Sequence, residues 1–207
     1  MNAEQKQKAN EVQKQLRQGL LQAIAVLDSD VNFAREQWLK SPDSQFWRRS
    51  LLRCCCASAE GTISLIKQVT PKCADFFGVN LTDSDIKVVT ERRTYVENGV
   101  EKSKPAFLPF RDNVKESFKV FAKAHTISSS ADFSASGFTE LCQAFDLRNK
   151  LMHPKNVFDL GVDDKALDEA DRGLKWFKHS LVRLLKDCGE KLPFSDRPPF
   201  GNFPQHQ

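Results

Sequence analysis

The strongest constraint in this sequence is an uninterrupted helical pattern of apolar residues between Ser44 and Val69. Apolar side chains recur there every three to four residues, which places them on one face of an α-helix. They are Phe46, Leu51, Leu52, Cys54, Cys55, Ile63, Leu65 and Ile66. A helix cannot bury so broad an apolar face by itself, so the chain must supply further helices to cover it.

Other segments supply those helices, together with one short pair of strands. Helices are predicted at about 3–27, 31–39 and 111–124, from Ser136 or Gly137 to His153, and from after Asp163 to Cys188 with Gly189 as the C-cap. Asn98-Gly99 is a strong two-residue hairpin signal within an excursion at about 90–106. We therefore expect a mainly α protein, a helical bundle of four to five core helices with a small inserted β-hairpin.

The chain divides into one main domain and two end segments. Residues 1–43 are predicted to form an N-terminal helical extension, and residues 44–189 the helical domain. The tail at 190–207 is rich in proline and phenylalanine and has no periodicity, which favours disorder over an arm packed on a neighbouring subunit. At 207 residues, one domain with extensions is more economical than two full domains.

Composition and charge indicate a soluble cytoplasmic protein. The residues are 40% apolar and 28% charged, and the net charge of +4 permits contact with a polyanion without predicting one. Residues 1–18 lack the apolar segment of a signal peptide, and no run approaches the ~18 apolar residues of a membrane span. We expect no membrane contact.

The six cysteines do not form a metal-binding pattern. Three are consecutive, from Cys54 to Cys56, and adjacent helical positions point about 100° apart, so they cannot converge on one ion. No CxxC pair is present. We expect reduced thiols packed as small apolar residues, with no metal and no cofactor.

The candidate site is the stretch "GFTELCQAFDLRNKLMHP" at 137–154. Its apolar residues share one arc of a helical wheel, and they are Phe138, Leu141, Cys142, Phe145 and Met152. Asn149 and His153 lie one turn apart at the edge of that arc, which predicts a semi-buried position for both. Pro154 disfavours the α conformation at His153, so the helix should end there and release the imidazole from the helix axis.

This stretch resembles the HEPN superfamily, whose nuclease members are small α-helical bundles that carry an arginine, four to six residues and then a histidine. In "RNKLMH", Arg148, Asn149 and His153 match that motif, including the polar residue after the arginine. The resemblance covers roughly 44–188 in helix order, and the hairpin and both ends lie outside it. It implies a HEPN-like fold and a homodimer in which two motifs face each other across a composite active site. It also implies a metal-independent endoribonuclease.

The residue types suit that chemistry. RNA is cleaved without a metal when its own 2′-hydroxyl attacks the adjacent phosphate, which requires a group that transfers a proton and a cation for the charge that builds on phosphorus-bound oxygen. His153 suits the first task, Arg148 the second, and Asn149 can orient the phosphate by a hydrogen bond. The products would be a 2′,3′-cyclic phosphate and a 5′-hydroxyl.

Two residues of the long helix are predicted to support this site. Arg49, Arg53 and Glu60 share a narrow stripe beside the apolar arc. The motif-bearing helix of that family usually packs on the long preceding helix, so Glu60 would hold Arg148, with Arg53 nearby. The alternative is a surface ion pair of Glu60 with Arg53 or Lys67.

A weaker prediction concerns RNA-binding cations. They flank the motif or follow one stripe of the last helix, and they are Lys150, Lys155, Lys175, His179, Arg183 and Lys186. A solvated charged face explains the stripe equally well, whereas phosphate contacts would make binding fall as salt rises. Arg172 and His179 also fit the arginine–histidine spacing, but Gly173 follows this arginine and no helix break follows the histidine.

Three functions are compatible with these features. The first is a HEPN-type endoribonuclease, acting as a toxin or phage-defence (abortive-infection) effector on cellular RNA. The resemblance also implies a separately encoded antitoxin, similar to nucleotidyltransferases, as a partner. The second is a non-catalytic HEPN-like dimeric module that binds a nucleotide, RNA or another protein. The third is a plain helical interaction protein in which "RNKLMHP" is only a helix end.

Overall fold

The computed structural model describes residues 3–190, which form six α-helices and one β-hairpin. The helices are α1 (Ala3–Lys40), α2 (Gln45–Phe77), α3 (Asp83–Thr90), α4 (Phe110–Ala124), α5 (Ser136–Met152) and α6 (Asp164–Glu190). The strands are β1 (Arg92–Glu97) and β2 (Val100–Pro105), and a 3-10 turn at Val157–Leu160 joins α5 to α6. The predicted helical bundle with an inserted hairpin is confirmed. Beyond Glu190, the predicted tail lies outside the residues that the structure describes.

Helix α2 is the centre of the bundle, because it packs against α1, α3, α4, α5 and α6. Most of its predicted apolar face is buried, but Phe46 in the first turn is exposed. The helix continues past the predicted end at Val69, through Pro71, to Phe77. Pro71 has no N–H to donate within the helix, but the buried Cys73 holds the following turn in the core.

The N-terminal region is one continuous helix rather than the two predicted segments. Val31 and Ala34, on the far side of the expected break, are buried with Leu20 in the same core as α2. Helices α1 and α2 approach closely at Gly61, where an added Cβ would lie 2.9 Å from Leu27 Cδ1. Burial of this face favours an unbroken helix over a loop.

Helix α5 packs along α6, and together they close the core with three buried phenylalanines, Phe138, Phe145 and Phe177, which join Phe118 of α4. Helix α6 begins after Asp163 as predicted, but Gly189 lies inside it rather than capping it. The buried Cys188 anchors the last turn to the core, which keeps the helix continuous through Gly189.

The hairpin projects from the bundle, and every residue of both strands is exposed. β1 and β2 are antiparallel with Glu97 opposite Val100, and the turn places Asn98 and Gly99 at φ 54° and 74°. The predicted two-residue hairpin is confirmed, and positive φ at both positions is type I′ geometry, which favours Asn-Gly. None of the helices within 3–190 is both long and apolar enough to cross a membrane.

Candidate functional site

The motif histidine lies at the end of α5, as the sequence predicts. Helix α5 ends at Met152, and His153 leaves it with φ −133° and ψ 60°. The His153 N–H still donates to the Asn149 carbonyl at 3.0 Å, while Pro154 prevents another helical turn. The imidazole is therefore carried by the first residue outside the helix.

The predicted semi-buried position of Asn149 and His153 is wrong, because both residues are exposed. The face that buries Phe145 continues through Asn149 and Met152, but Met152 is 52% exposed and Leu151 is buried in its place. Burial depends on what covers a helix face, and no described element covers this one in the last turns of α5. The end of α5 thus presents an open surface.

Arg148 is held at the boundary between the core and this surface. Its side chain is 21% exposed and forms an ion pair with Glu60 on α2. The guanidinium lies 5.0 Å from the centre of the Phe145 ring, and Phe110 stacks on the same ring. The pairing of Arg148 with Glu60 is the one anticipated from the sequence, and the alternative partner Lys67 pairs with Glu91 instead.

A thiol from α2 also lies beside Arg148. Cys56 is buried and hydrogen-bonded with the Arg148 side chain. Burial is the main cause that raises the pKa of Cys56 to about 12, although the nearby arginine opposes the shift. The thiol is neutral at pH 7 and does not compete with Glu60 as an anionic partner of the guanidinium.

Arg53 lies between two points at which the motif segment contacts α2. Arg148 meets Glu60 at one point, and Arg49 donates to the Leu160 carbonyl at 3.1 Å at the other. The chain from 148 to 160 therefore runs beside α2 toward its N-terminus. Arg53 is exposed along this path and forms no salt bridge with another described residue.

The predicted RNA-binding cations are all exposed, but they fall into two groups. Lys150 and Lys155 flank the motif. The other group, Lys175, His179, Arg183 and Lys186, lies along α6. Lys175 pairs with Asp171 at 2.8 Å. No hydrogen bond or salt bridge among the described residues joins the α6 group to the motif. Among the predicted site residues within 3–190, only the side chains of Arg148 and Glu60 form an ion pair with each other.

A polar groove beside this site was missed by the sequence reasoning. It has a volume of about 280 Å³ and is lined by Glu60, by the buried Lys67 and by the partly exposed Glu91, whose Oε1 atom lies 2.6 Å from Lys67 Nζ. The available signal was a lysine four residues after Ile63, on the apolar face of α2.

The thiols are packed as the sequence predicts. Cys55, Cys56, Cys73, Cys142 and Cys188 are buried, and Cys54 is partly buried. Within 3–190, no group of three His, Cys, Asp or Glu side chains is arranged to hold a metal ion.

Comparisons with known proteins yield no relative of this chain. No protein-family model matches it, no curated protein matches it, and no solved structure matches it. The function must therefore be inferred from the site itself.

Proposed function

We propose that the protein is a metal-independent endoribonuclease of the HEPN type. The observation that carries the proposal is the open end of α5, where Glu60 holds Arg148 and where Asn149 and His153 are exposed. The five residues from Arg148 to His153 span about 7.5 Å along the helix axis. A phosphate can therefore contact the arginine while a ribose hydroxyl reaches the imidazole.

The proposed reaction is an internal transesterification of RNA. His153 accepts the proton of the 2′-hydroxyl as its oxygen forms a bond to phosphorus, and the bond from phosphorus to the 5′-oxygen breaks. Arg148 stabilises the negative charge on the phosphate oxygens, and Asn149 donates a hydrogen bond that orients the phosphate. The leaving 5′-oxygen takes a proton from an imidazolium, which gives a 2′,3′-cyclic phosphate and a 5′-hydroxyl.

A second copy of the chain is proposed to complete the site. Met152, Val157 and Phe158 are exposed next to His153, with Phe158 87% exposed. Adjacent apolar side chains rimmed by polar residues are typical of protein interfaces. A twofold axis through this surface would bring two His153 imidazoles together, one to remove a proton and one to donate it.

The test is cleavage of total RNA in the presence of EDTA by wild type, Arg148→Ala and His153→Ala. We expect wild type to cleave and each variant to lose at least 100-fold in rate, because a transition-state cation or a proton-transfer group is removed. Product ends should be a cyclic phosphate and a 5′-hydroxyl, which end-specific ligation can verify.

Matched controls separate chemistry from folding. Arg35→Ala removes another partly buried arginine that pairs across helices, in this case with Asp171. Gln143→Ala alters an exposed residue of α5 almost three turns before the histidine. Both controls should cleave like wild type. Cleavage by Arg148→Ala or His153→Ala at the wild-type rate would overturn the proposal.

The second candidate is a non-catalytic dimeric module that binds a nucleotide, RNA or a partner protein. The exposed Met152, Val157 and Phe158 favour it, because an apolar surface supports association without any chemistry. Two results together would favour this candidate over the nuclease. Neither wild type nor any variant would cleave RNA, and wild type would be a dimer that Phe158→Glu converts to a monomer.

The proposed cellular role is that of a toxin or phage-defence effector that acts in the cytoplasm and is restrained by a separately encoded, nucleotidyltransferase-like antitoxin. Uncontrolled RNA cleavage is harmful to its host, so expression of wild type should arrest growth. His153→Ala should relieve the arrest at equal protein level, as measured by colony counts and immunoblotting. Arrest by both forms would argue against cleavage as its cause.

A further inference from the structure

The groove between α2, the end of α3 and the start of α4 has features that the proposed catalytic residues do not require. Its polar lining residues are Glu60, Ser64, Lys67, Gln68, Thr90, Glu91 and Asn113. Phe110 forms part of the wall, and its ring also stacks on Phe145, the ring that Arg148 contacts. A groove of this size, about 280 Å³, with convergent polar groups and one aromatic wall is typical of a small-ligand site.

Lys67 is the residue of the groove that folding alone explains least well. Its side chain is only 5% exposed and its Nζ atom lies 2.6 Å from Glu91 Oε1. Removing the Lys67 ammonium from water costs about as much as its attraction to the partly exposed Glu91 carboxylate returns, so an apolar residue would serve the core equally well. The pair is positioned at a groove, where a third group can share it.

Glu91 has an unusual backbone conformation in the same groove. It follows α3 with φ 52°, in the left-handed region that residues with a Cβ adopt at a cost. Its carbonyl accepts from the Ala106 N–H at 2.7 Å, which fixes this conformation at the base of the hairpin. Asn113 Nδ2 approaches the same Oε1 atom at 3.5 Å. The carboxylate is thus held beside an ammonium and an amide.

We propose that this groove binds a guanine base of the RNA substrate, an inference that rests on the proposed function for the identity of the ligand. The Watson–Crick edge of guanine places the acceptor O6 beside the donors N1–H and N2–H. Lys67 can donate to O6 while the free lone pairs of the Glu91 carboxylate accept from the two donors. Uracil and cytosine each have a single donor group on this edge, and adenine offers only its amino group.

The groove is positioned to hold a nucleotide next to the cleaved bond. Glu60 belongs both to the groove and to the ion pair with Arg148. Glu60 and Lys67 lie about two turns apart on α2 and are separated by about 10 Å along its axis. A base beside Lys67 can therefore belong to a nucleotide whose phosphate contacts Arg148.

The test is the equilibrium binding of GMP, AMP, CMP and UMP to the full chain, measured by calorimetry. We expect GMP to bind at least tenfold more tightly than the other three. Ser64→Trp fills the groove from an exposed helical position and should weaken GMP binding at least tenfold without unfolding the protein. Lys67→Met should have the same effect on binding.

Lys123→Met is the matched control. Lys123 on α4 pairs with Asp85 on α3, so it too forms an ion pair between two elements, but it lies outside the groove. It should bind GMP like wild type. Equal binding of all four nucleotides, or a GMP affinity for Ser64→Trp within twofold of wild type, would overturn the inference.

Mapping of cut positions in RNA distinguishes failure here from failure of the proposed function. Selective GMP binding without any RNA cleavage would reject the nuclease and keep the guanine site. Cleavage without preference for guanine, together with no selective GMP binding, would reject the guanine site and keep the nuclease.

Discussion

Two segments of this chain contain an arginine followed by a histidine at similar spacing, but they differ in the exposure of the arginine and in where the helix ends. Arg148 on α5 is 21% exposed and pairs with Glu60, and the helix ends at His153. Arg172 on α6 is 54% exposed and pairs with Glu140, and α6 continues beyond His179 for three turns to Glu190. The spacing is shared, but only the first segment ends at a surface.

The residue that follows each arginine shows that the two segments have different structural roles. Gly173 follows Arg172 and lies against the backbone of α5, where an added Cβ would be 2.5 Å from Leu141 N. Asn149 follows Arg148 and is exposed. The α6 segment thus serves helix packing, whereas the α5 segment leaves polar groups available to a ligand.

Of the substitutions that test this difference between the two segments, one at Gly173 is expected to have the largest effect on stability. Gly173→Ala should lower the free energy of unfolding by about 2 kcal/mol, because the new methyl group forces α5 and α6 apart. Urea denaturation measures the loss. Gly19→Ala is the control, since a Cβ at Gly19 meets nothing within 4 Å and alanine favours the helix. Equal stability of both variants would show that Gly173 does not set the spacing of the helices.

The features of the fold that the sequence predicts are those that depend on local geometry. Apolar periodicity predicts α2, and Asn98-Gly99 predicts the hairpin, because both depend on local geometry. Pro154 ends α5 at His153 for the same local reason. The choice of Arg148 over Arg172 follows from the local context of each arginine.

The parts that the sequence did not predict depend on distant neighbours. A helical wheel places Met152 on the buried face of α5, but burial requires a covering element, which none of residues 3–190 provides at the end of the helix. The contact between Lys67 and Glu91 joins α2 to the end of α3 and has no sequence signal beyond a lysine on an apolar face. Tertiary packing, not periodicity, decides both.

A second prediction concerns the thiols of α2, because a thiolate beneath Arg148 would compete with Glu60. Burial raises the pKa of Cys55 and of Cys56 to about 12, from an ordinary value of 9.0. Between these values the native state keeps protons that the unfolded state releases, so stability falls as pH rises above 9. The slope is at most about 1.4 kcal/mol per pH unit for each thiol.

Urea denaturation from pH 8 to pH 11 measures this dependence. Cys56→Ala should show a shallower decline than wild type by up to about 1.4 kcal/mol per pH unit, since one of the two thiols is gone. The difference between the two proteins isolates Cys56, because every other titratable group is common to both. Parallel curves would mean that Cys56 ionises equally in the folded and unfolded states.

The smallest expected effect distinguishes the two arginines through their carboxylate partners. Glu60→Gln should lower kcat for RNA cleavage about tenfold, because a neutral amide holds Arg148 less firmly, and Glu60→Asp should restore part of it. Glu140→Gln removes the equivalent charge beside Arg172 and should leave kcat unchanged. Both ion pairs include an exposed member, so the melting temperatures of all three variants should stay near that of wild type. A loss of kcat in Glu140→Gln as large as in Glu60→Gln would mean that the two segments do not differ in function, since the carboxylate that positions a reacting arginine has to matter more than the one that stabilises a surface arginine.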